Sequence, residues 1–247
     1  MKKFELLHWS PEMVKTFWDY ESQFPENFFA YRFGEEIIHR LLPYIPARGH
    51  ILDYGCGPGN LIEKLLQHDL KVAGLDFSPV TKEVVVQRFR DNQNFMGAFE
   101  PKDLISRSET FDAVIIIEVI EHLYDSQLDE LLGNVQTLLR PGGVAIFTTP
   151  NEEVLEDSYI LCPVSGQLFH RWQHVRNWSS ESVASYLISY GFQIETSFAT
   201  NLSITFHTGN MKHPFKQKLT TLRKLLKRKL KPGKKPPHLV AIAKKPV

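Results

Sequence analysis

The 247-residue sequence has few cysteines and no long apolar run. Two cysteines, Cys56 and Cys162, cannot build the disulfide framework of a small secreted domain. No uninterrupted apolar run exceeds the five residues 113–117, which are far too few to cross a bilayer. Residues 1–10 hold no apolar stretch of signal-peptide length. We therefore expect a cytoplasmic location with reduced thiols.

Acidic residues are absent from positions 212–247, although the chain has 28 of them. Residues 1–211 carry a formal charge of −12, and residues 212–247 carry +13. Within 212–235 the leucines recur at spacings of three or four, which predicts a basic amphipathic helix. Three roles stay open for it: an anionic surface at the inner face of the membrane, packing against its own domain, or nucleic acid. Few aromatic residues stand among the lysines, which makes nucleic acid the weakest of the three.

The most informative segment is residues 51–60, I-L-D-Y-G-C-G-P-G-N. A short apolar run ends in Asp53, glycines follow at 55, 57 and 59, and a helical apolar pattern begins at Leu61. This order predicts a buried strand, a turn with few side chains and a helix N-terminus. Such a turn lets an electron-rich ligand approach the backbone N–H groups. The spacing G-x-G-x-G differs from the G-x-G-x-x-G of dinucleotide-binding folds.

Two more acids stand at predicted strand ends. Residues 71–75 form an apolar strand followed by Asp76, placed 17 positions after Gly59 to accept hydrogen bonds from ribose hydroxyls. Residues 111–117 read as a fully buried strand followed by Glu118. Ligands of parallel sheets bind beyond the carboxyl ends of the strands, so Asp53, Asp76 and Glu118 should converge.

Strand and helix patterns alternate from residue 48 to 150, which predicts an α/β fold with a doubly wound, mostly parallel, seven-stranded sheet. We expect four parts: an aromatic N-terminal helical cap (1–47), a cofactor-binding core (48–211) with an irregular substrate insertion (151–178), the basic amphipathic insertion (212–236), and the last strand with the C-terminus (237–247). The predicted strands are 50–54, 71–75, 94–98, 111–117, 143–149, 193–199 and 238–244, and the predicted helices are 35–42, 60–68, 79–90, 125–139 and 179–190.

Four sequence elements resemble the class I S-adenosylmethionine-dependent methyltransferases: L-D-Y-G-C-G-P-G, G-L-D-F-S, F-D-A-V-I-I-I-E-V-I-E-H-L and L-R-P-G-G-V-A-I-F-T-T-P-N. The resemblance covers residues 48–200 and implies a Rossmann-like methyltransferase fold that binds S-adenosylmethionine. It implies that Asp53 and the glycine turn hold the methionine end of the cofactor, that Asp76 binds the ribose, and that Ala98 and Phe99 lie beside the adenine. The full set of implied cofactor residues is Asp53, Gly55, Cys56, Gly57, Gly59, Asp76, Phe77, Ala98, Phe99 and Glu118.

The segment E-V-I-E-H is similar to two methyltransferase groups, the ubiquinone-biosynthesis O-methyltransferases and the small-RNA 2′-O-methyltransferases. The second group implies a metal ion held by Glu118, Glu121, His122 and His174. Carboxylates and imidazoles suit Mg²⁺, Mn²⁺ or Zn²⁺. The alternative is a site without metal in which His122 or His174 is the catalytic base.

The resulting functional prediction is methyl transfer from S-adenosylmethionine to a small-molecule, glycan or lipid-linked acceptor, at oxygen. RNA 2′-O-methylation with a divalent metal is the first alternative. A binding module that keeps the cofactor fold without catalysis is the second, although Asp53, Asp76 and the three glycines are all present.

Overall fold

The computed structural model describes residues 4–106, 108–202 and 235–247. The predicted basic helix of 212–235 lies outside the described residues, apart from Lys235. Within the described ranges, no helix is long and apolar enough to span a bilayer.

A seven-stranded sheet forms the centre of the molecule. Its strands run in the spatial order β3-β2-β1-β4-β5-β9-β8. The first five are parallel, and β9 pairs antiparallel with both β5 and β8. The predicted doubly wound, mostly parallel sheet is confirmed. The strands are β1 (His50–Tyr54), β2 (Lys71–Leu75), β3 (Phe95–Phe99), β4 (Phe111–Ile117), β5 (Leu139–Pro150), β8 (Gln193–Thr200) and β9 (His238–Lys244).

Helices cover both faces of this sheet, and side-chain caps set where several of them begin. The Ser78 hydroxyl accepts a hydrogen bond from the Thr81 N–H, and Pro79 occupies the first helical position of α4. Ser179 caps α6 in the same way through the Ser182 N–H. The helices are α1 (Pro11–Glu21), α2 (Phe29–Leu41), α3 (Asn60–Leu65), α4 (Pro79–Phe89), α5 (Asp125–Leu138) and α6 (Ser180–Ser189).

Alternation along β4 explains why the sheet is covered on both sides. Val114 and Ile116 join a core cluster with α5 and α6, whereas Ala113 and Ile115 join a second cluster with α2, α3 and α4. Successive side chains of a strand point to opposite faces, so a run without polar residues needs a helical layer on each face. The two layers leave the carboxyl edge of the parallel strands open for a site.

The structure corrects three sequence predictions. Helix α2 begins at Phe29, not at residue 35, because its first turn is aromatic and carries no helix-start signal. Strand β5 begins at Leu139, before the Pro-Gly-Gly sequence expected to precede it. The insertion 151–178 is not wholly irregular, since β6 (Tyr159–Leu161) and β7 (Leu168–His170) pair as a hairpin. Three-residue strands are too short to show an alternating pattern.

Candidate active site

The glycine turn lies at the carboxyl end of β1, as the sequence predicts. Gly55, Gly57 and Gly59 all have positive φ, at 80°, 47° and 82°. A Cβ at Gly55 would lie 2.6 Å from the Val119 side chain, so there is no room for a larger residue. The backbone N–H groups of Gly55 and Cys56 both donate to the carbonyl of Leu75, at 2.8 and 3.0 Å. The turn is therefore tied to the neighbouring strand.

Asp53 is buried beneath this turn and has an unused acceptor. Its side chain is 3% exposed, and its Oδ2 has no hydrogen-bond partner among the described residues. Burial, with a smaller contribution from the charge of Asp76, raises the pKa of Asp53 to about 8. Burying a carboxylate without a partner costs free energy. A cationic or hydrogen-bond-donating ligand would therefore be stabilised at this site.

Asp76 follows β2 and holds the glycine turn from the other side. Its Oδ2 accepts the Gly57 N–H and its Oδ1 accepts the Ser78 N–H, both at 3.0 Å. Burial raises the pKa of Asp76 to about 6 despite these backbone hydrogen bonds, which act to lower it. Each carboxylate oxygen keeps a further lone pair, so Asp76 can still accept ligand hydroxyls.

A cavity of 540 Å³ extends from Asp53 and Asp76 to the segment that follows β4. That volume falls within the range of small-molecule sites. Helix α1 and the start of α2 form one wall, to which Trp18, Phe29 and Phe33 contribute aromatic side chains. Trp18 donates its indole N–H to Gln173 Oε1 at 3.0 Å, which joins α1 to the insertion. The cap therefore contributes directly to the cavity, as the aromatic N-terminus suggests.

Most of the implied cofactor residues line this cavity. Those that do so are Asp53, Gly55, Cys56, Gly57, Asp76, Phe77 and Glu118. Gly59 instead begins helix α3, with its own φ in the left-handed region. Ala98 and Phe99 lie at the end of β3, where both side chains are buried in the core clusters beside the sheet. The two expected adenine contacts thus lie near, but not on, the cavity wall.

Glu118 has an unusual backbone at the end of β4. Its φ is 51°, in the region that favours glycine. Its N–H donates to the Thr148 carbonyl, and its Oε1 accepts the Thr148 hydroxyl at 2.8 Å. Burial raises the pKa of Glu118 to about 7. Residues 120–122 form only a short 3-10 turn, so Glu118 and His122 do not share the face of one helix.

Glu121 and His122 present unused atoms to each other. Glu121 is 1% exposed, and its Oε2 accepts the Thr149 hydroxyl at 3.0 Å. Its Oε1 has no hydrogen-bond partner among the described residues and lies 3.8 Å from His122 Nε2. The Nδ1 of His122 lies 3.5 Å from the Gln173 carbonyl, which favours a proton on Nδ1 and a lone pair on Nε2.

His174 completes this cluster. Its ring lies against that of His122, with ring centroids 4.9 Å apart. Ligand atoms of Glu121, His122 and His174 all lie within 4.8 Å of one another, as a metal ion would need, whereas Glu118 stands outside the group. Burial, followed by the neighbouring His174, lowers the pKa of His122 to about 3 and keeps that imidazole neutral.

Two residues that sequence reasoning did not select also belong to the site. Glu153 contacts His174 and His170 through its carboxylate. These contacts favour the ionised form of Glu153. Burial opposes ionisation of Glu153, but the interactions with the two histidines outweigh burial and lower its pKa to about 2. Gln173 donates its side-chain amide to the His122 carbonyl at 3.0 Å. Cys162 lies in the hairpin turn and is absent from the described clusters of metal-ligating residues.

Comparison with known proteins identifies the family. A family model described as a methyltransferase domain matches residues 26–197. The chain belongs to the class I S-adenosylmethionine-dependent methyltransferases. The ubiquinone biosynthesis O-methyltransferase of Coxiella burnetii is 32% identical over 104 residues, which cover 41% of this chain and 44% of the relative. The chain therefore matches less than half the length of that curated relative.

Solved structures show the same methyltransferase fold. A chain from the Haloferax volcanii complex of the Trm112 methyltransferase activator with a methyltransferase has a TM-score of 0.64 at 14% identity, covering 93% of this chain and 98% of that one. A Burkholderia thailandensis 1,6-didemethyltoxoflavin-N1-methyltransferase has a TM-score of 0.62 at 16% identity, covering 98% of this chain and 92% of that one. At these identities the likeness concerns the fold alone.

Proposed function

We propose that this methyltransferase moves the methyl group of S-adenosylmethionine to a hydroxyl oxygen of a small-molecule, glycan or lipid-linked acceptor. One observation carries the proposal: the glycine turn with Asp53 and the cluster of Glu121, His122 and His174 line one continuous cavity. A cofactor at the first end would therefore share one cavity with an acceptor at the second. Methyl transfer requires this proximity and the exclusion of water.

The cofactor end has the donors and acceptors that S-adenosylmethionine needs. The unpartnered Oδ2 of Asp53 fits the ammonium of the methionine portion. The Asp76 carboxylate fits the ribose hydroxyls, and the positive-φ glycines let the ligand lie against the backbone. When bound, the cofactor supplies an activated methyl group on a sulfonium sulfur.

The acceptor end can take up the proton that the hydroxyl loses. His122 lines the cavity and is held neutral, with its lone pair on Nε2. His174 lies beside it and lines the same cavity. His174 can accept a proton as oxygen bonds to carbon, which is the role of a general base, whereas the pKa of about 3 makes His122 a weak base.

The same residues fit a divalent metal ion. The unpartnered Oε1 of Glu121 is a buried carboxylate oxygen without a compensating donor, and two imidazoles stand beside it. Glu121, His122 and His174 would hold the ion, while Glu118 already has its Oε1 bonded to Thr148. When bound, such an ion lowers the pKa of a coordinated hydroxyl.

The walls favour an acceptor with an apolar portion. Trp18, Phe28, Phe33 and Trp172 line the cavity together with leucines and valines. The names of the curated relatives, ubiquinone biosynthesis O-methyltransferases, support oxygen as the acceptor atom and an acceptor from that chemistry. The small-RNA alternative rests on the Glu121, His122 and His174 arrangement alone, because the basic residues 212–234 lie outside the described part of the chain.

The proposal is tested by incubating the purified chain with S-adenosylmethionine labelled in the methyl group. Separate reactions would contain prenylated catechols, hydroxylated glycans and a short RNA with a free 3′ end. Labelling of the catechols or the glycans that does not depend on the salt concentration supports the proposal. Label only in RNA, falling steeply with salt, replaces it with RNA methylation. A further reaction would contain fractions of a cell extract. If the chain binds the cofactor but labels no fraction, the protein would be a binding module without catalysis.

A further inference from the structure

Glu153 lies at the carboxyl end of β5 and is enclosed by two imidazoles. Its Oε2 is 2.5 Å from Nδ1 of His174, and its Oε1 is 3.4 Å from Nε2 of His170. The carboxylate is 23% exposed. Its own carbonyl accepts the Asn177 side-chain amide at 3.2 Å, so the loop that carries it is fixed from both sides. Glu153 does not line the cavity and cannot touch an acceptor there.

Backbone contacts define the tautomer of His170. Its Nδ1 accepts the N–H of Trp172 at 3.3 Å and the N–H of His174 at 3.2 Å. An imidazole nitrogen that accepts hydrogen bonds carries no proton, so the proton of neutral His170 is on Nε2. That atom faces Glu153. His170 is 1% exposed and its ring stacks on His174, with centroids 4.2 Å apart.

This arrangement argues against a metal site at Glu153, His170 and His174 and favours a role in positioning His174. Glu153, His170 and His174 have the spacing of a metal site. A metal ion at His170 Nε2 would have to replace the proton there, while Nδ1 is already occupied as an acceptor. Glu153 and His174 instead form a hydrogen-bonded pair whose His174 member lines the cavity, and His170 Nε2 lies 3.4 Å from the same carboxylate without making a hydrogen bond. Glu153 holds a proton on Nδ1 of His174, which leaves the lone pair on Nε2.

We infer that Glu153, oriented by His170, is a positioning residue that fixes the tautomer and ring direction of His174. This inference rests on the proposed function, in which His174 acts on the acceptor through Nε2 as a base or as a metal ligand. Both roles need the same nitrogen unprotonated, so both depend on the carboxylate. Outer carboxylates of this kind orient imidazoles in catalytic and metal sites of other proteins.

The test compares Glu153→Gln with Glu153→Asp and Glu152→Gln in the full chain. Glutamine replaces one of the two carboxylate oxygens by a donating NH2 and removes the negative charge, so it cannot present an acceptor atom to each histidine, whereas aspartate keeps two acceptor oxygens and the charge. Glu152 is a surface neighbour that pairs with Lys235 and serves as the matched control. We expect Glu153→Gln to lower kcat for methyl transfer by about 10- to 100-fold with little change in the KM for S-adenosylmethionine. Glu153→Asp should recover part of the loss.

Proton-detected ¹⁵N spectra of the imidazoles provide a readout that does not need an acceptor. Wild-type His174 should show its proton on Nδ1, and Glu153→Gln should shift the population toward Nε2. His170→Asn should produce a smaller shift, because the asparagine oxygen can still accept the two backbone N–H groups. An unchanged His174 tautomer in Glu153→Gln would overturn the inference, whatever the activity. Failure of methyl transfer in the wild type, with the tautomer shift present, would instead count against the proposed function.

Discussion

Asp53 and Asp76 lie at the ends of two adjacent parallel strands, and both carboxyls have raised pKa values. Burial raises the pKa of Asp53 to about 8 and that of Asp76 to about 6. The charge of Asp76 contributes to the value for Asp53. The structure therefore keeps two acids close together, and the charge of Asp76 disfavours the ionised form of Asp53. A cationic ligand with hydroxyl groups would offset the free-energy cost of burying these two carboxyl groups.

The first prediction concerns Asp76. Asp76→Ala should weaken the binding of S-adenosylmethionine by about 100-fold or more, because it removes the acceptor for the ribose and releases the Gly57 N–H. Isothermal titration calorimetry measures the change. Asp69→Ala is the control, since Asp69 is an exposed acid whose partner is the exposed Arg48. Unchanged affinity in Asp76→Ala would remove the cofactor assignment of this residue.

The second prediction concerns the stability of the protein without ligand. The pKa of Asp53 rises from 3.8 in the unfolded chain to about 8 in the folded protein. The folded state thus retains a proton that the unfolded chain loses, and stability falls as the pH rises from about 4 toward 8. Asp53→Asn removes this cost and should raise the free energy of unfolding by about 1–3 kcal/mol at pH 7.5. Chemical denaturation of both proteins at pH 4 and pH 7.5 tests it, and the difference should vanish at the lower pH.

The third prediction links the same group to cofactor binding. At pH 7 most of the free protein carries a proton on Asp53, and a cationic ligand favours its release. Binding of S-adenosylmethionine near pH 7 should therefore release up to about one proton more from the wild type than from Asp53→Asn. Calorimetry in buffers with different ionisation enthalpies measures this difference. Affinity should also fall below about pH 6, where more than half of the Asp76 carboxyls are protonated. Equal proton release in the two proteins would show that Asp53 does not ionise on binding.

The fourth prediction separates two requirements at Gly55. Gly55→Ala must adopt a φ of 80° and places a Cβ 2.6 Å from Val119 Cγ2. We expect a loss of about 2–4 kcal/mol in stability, from the backbone conformation and the clash together. In the double variant with Val119→Ala only the clash is relieved, so part of the loss should remain. Full recovery in the double variant would show that the backbone conformation costs nothing here.

Sequence patterns predicted the parts of the fold that depend on local chemistry. The bounds of β1, β2, β4 and β9 agree with the apolar runs that indicate them. Asp53, Asp76 and Glu118 also converge as expected, because parallel strands present their carboxyl ends at one edge. All three line the same cavity. The methyltransferase family follows from the same short segments.

The cluster around His174 could not be predicted in the same way. Glu153 reaches His174 across 21 positions of chain through a loop whose path depends on tertiary packing. Gln173 has a φ of 62° and turns the chain so that His170 and His174 stack. Glutamine gives no sequence signal for that conformation. The left-handed backbone of Glu118 and the short 3-10 turn that follows it likewise have no signal in the sequence.

The fifth prediction distinguishes Glu121 from Glu118 as metal ligands. Glu121→Gln should abolish the binding of Mn²⁺ or Co²⁺, because its Oε1 is a buried oxygen whose only described neighbour within salt-bridge range is His122 Nε2. Glu118→Gln should have a smaller effect, since the Thr148 hydroxyl already donates to its Oε1. Calorimetric titration of the ions into each protein measures binding directly. Any divalent-ion dependence of methyl transfer should disappear in Glu121→Gln. Full wild-type activity in excess chelator would leave His174 as a base without a metal. Equal losses in the two variants would restore Glu118 to the ligand set.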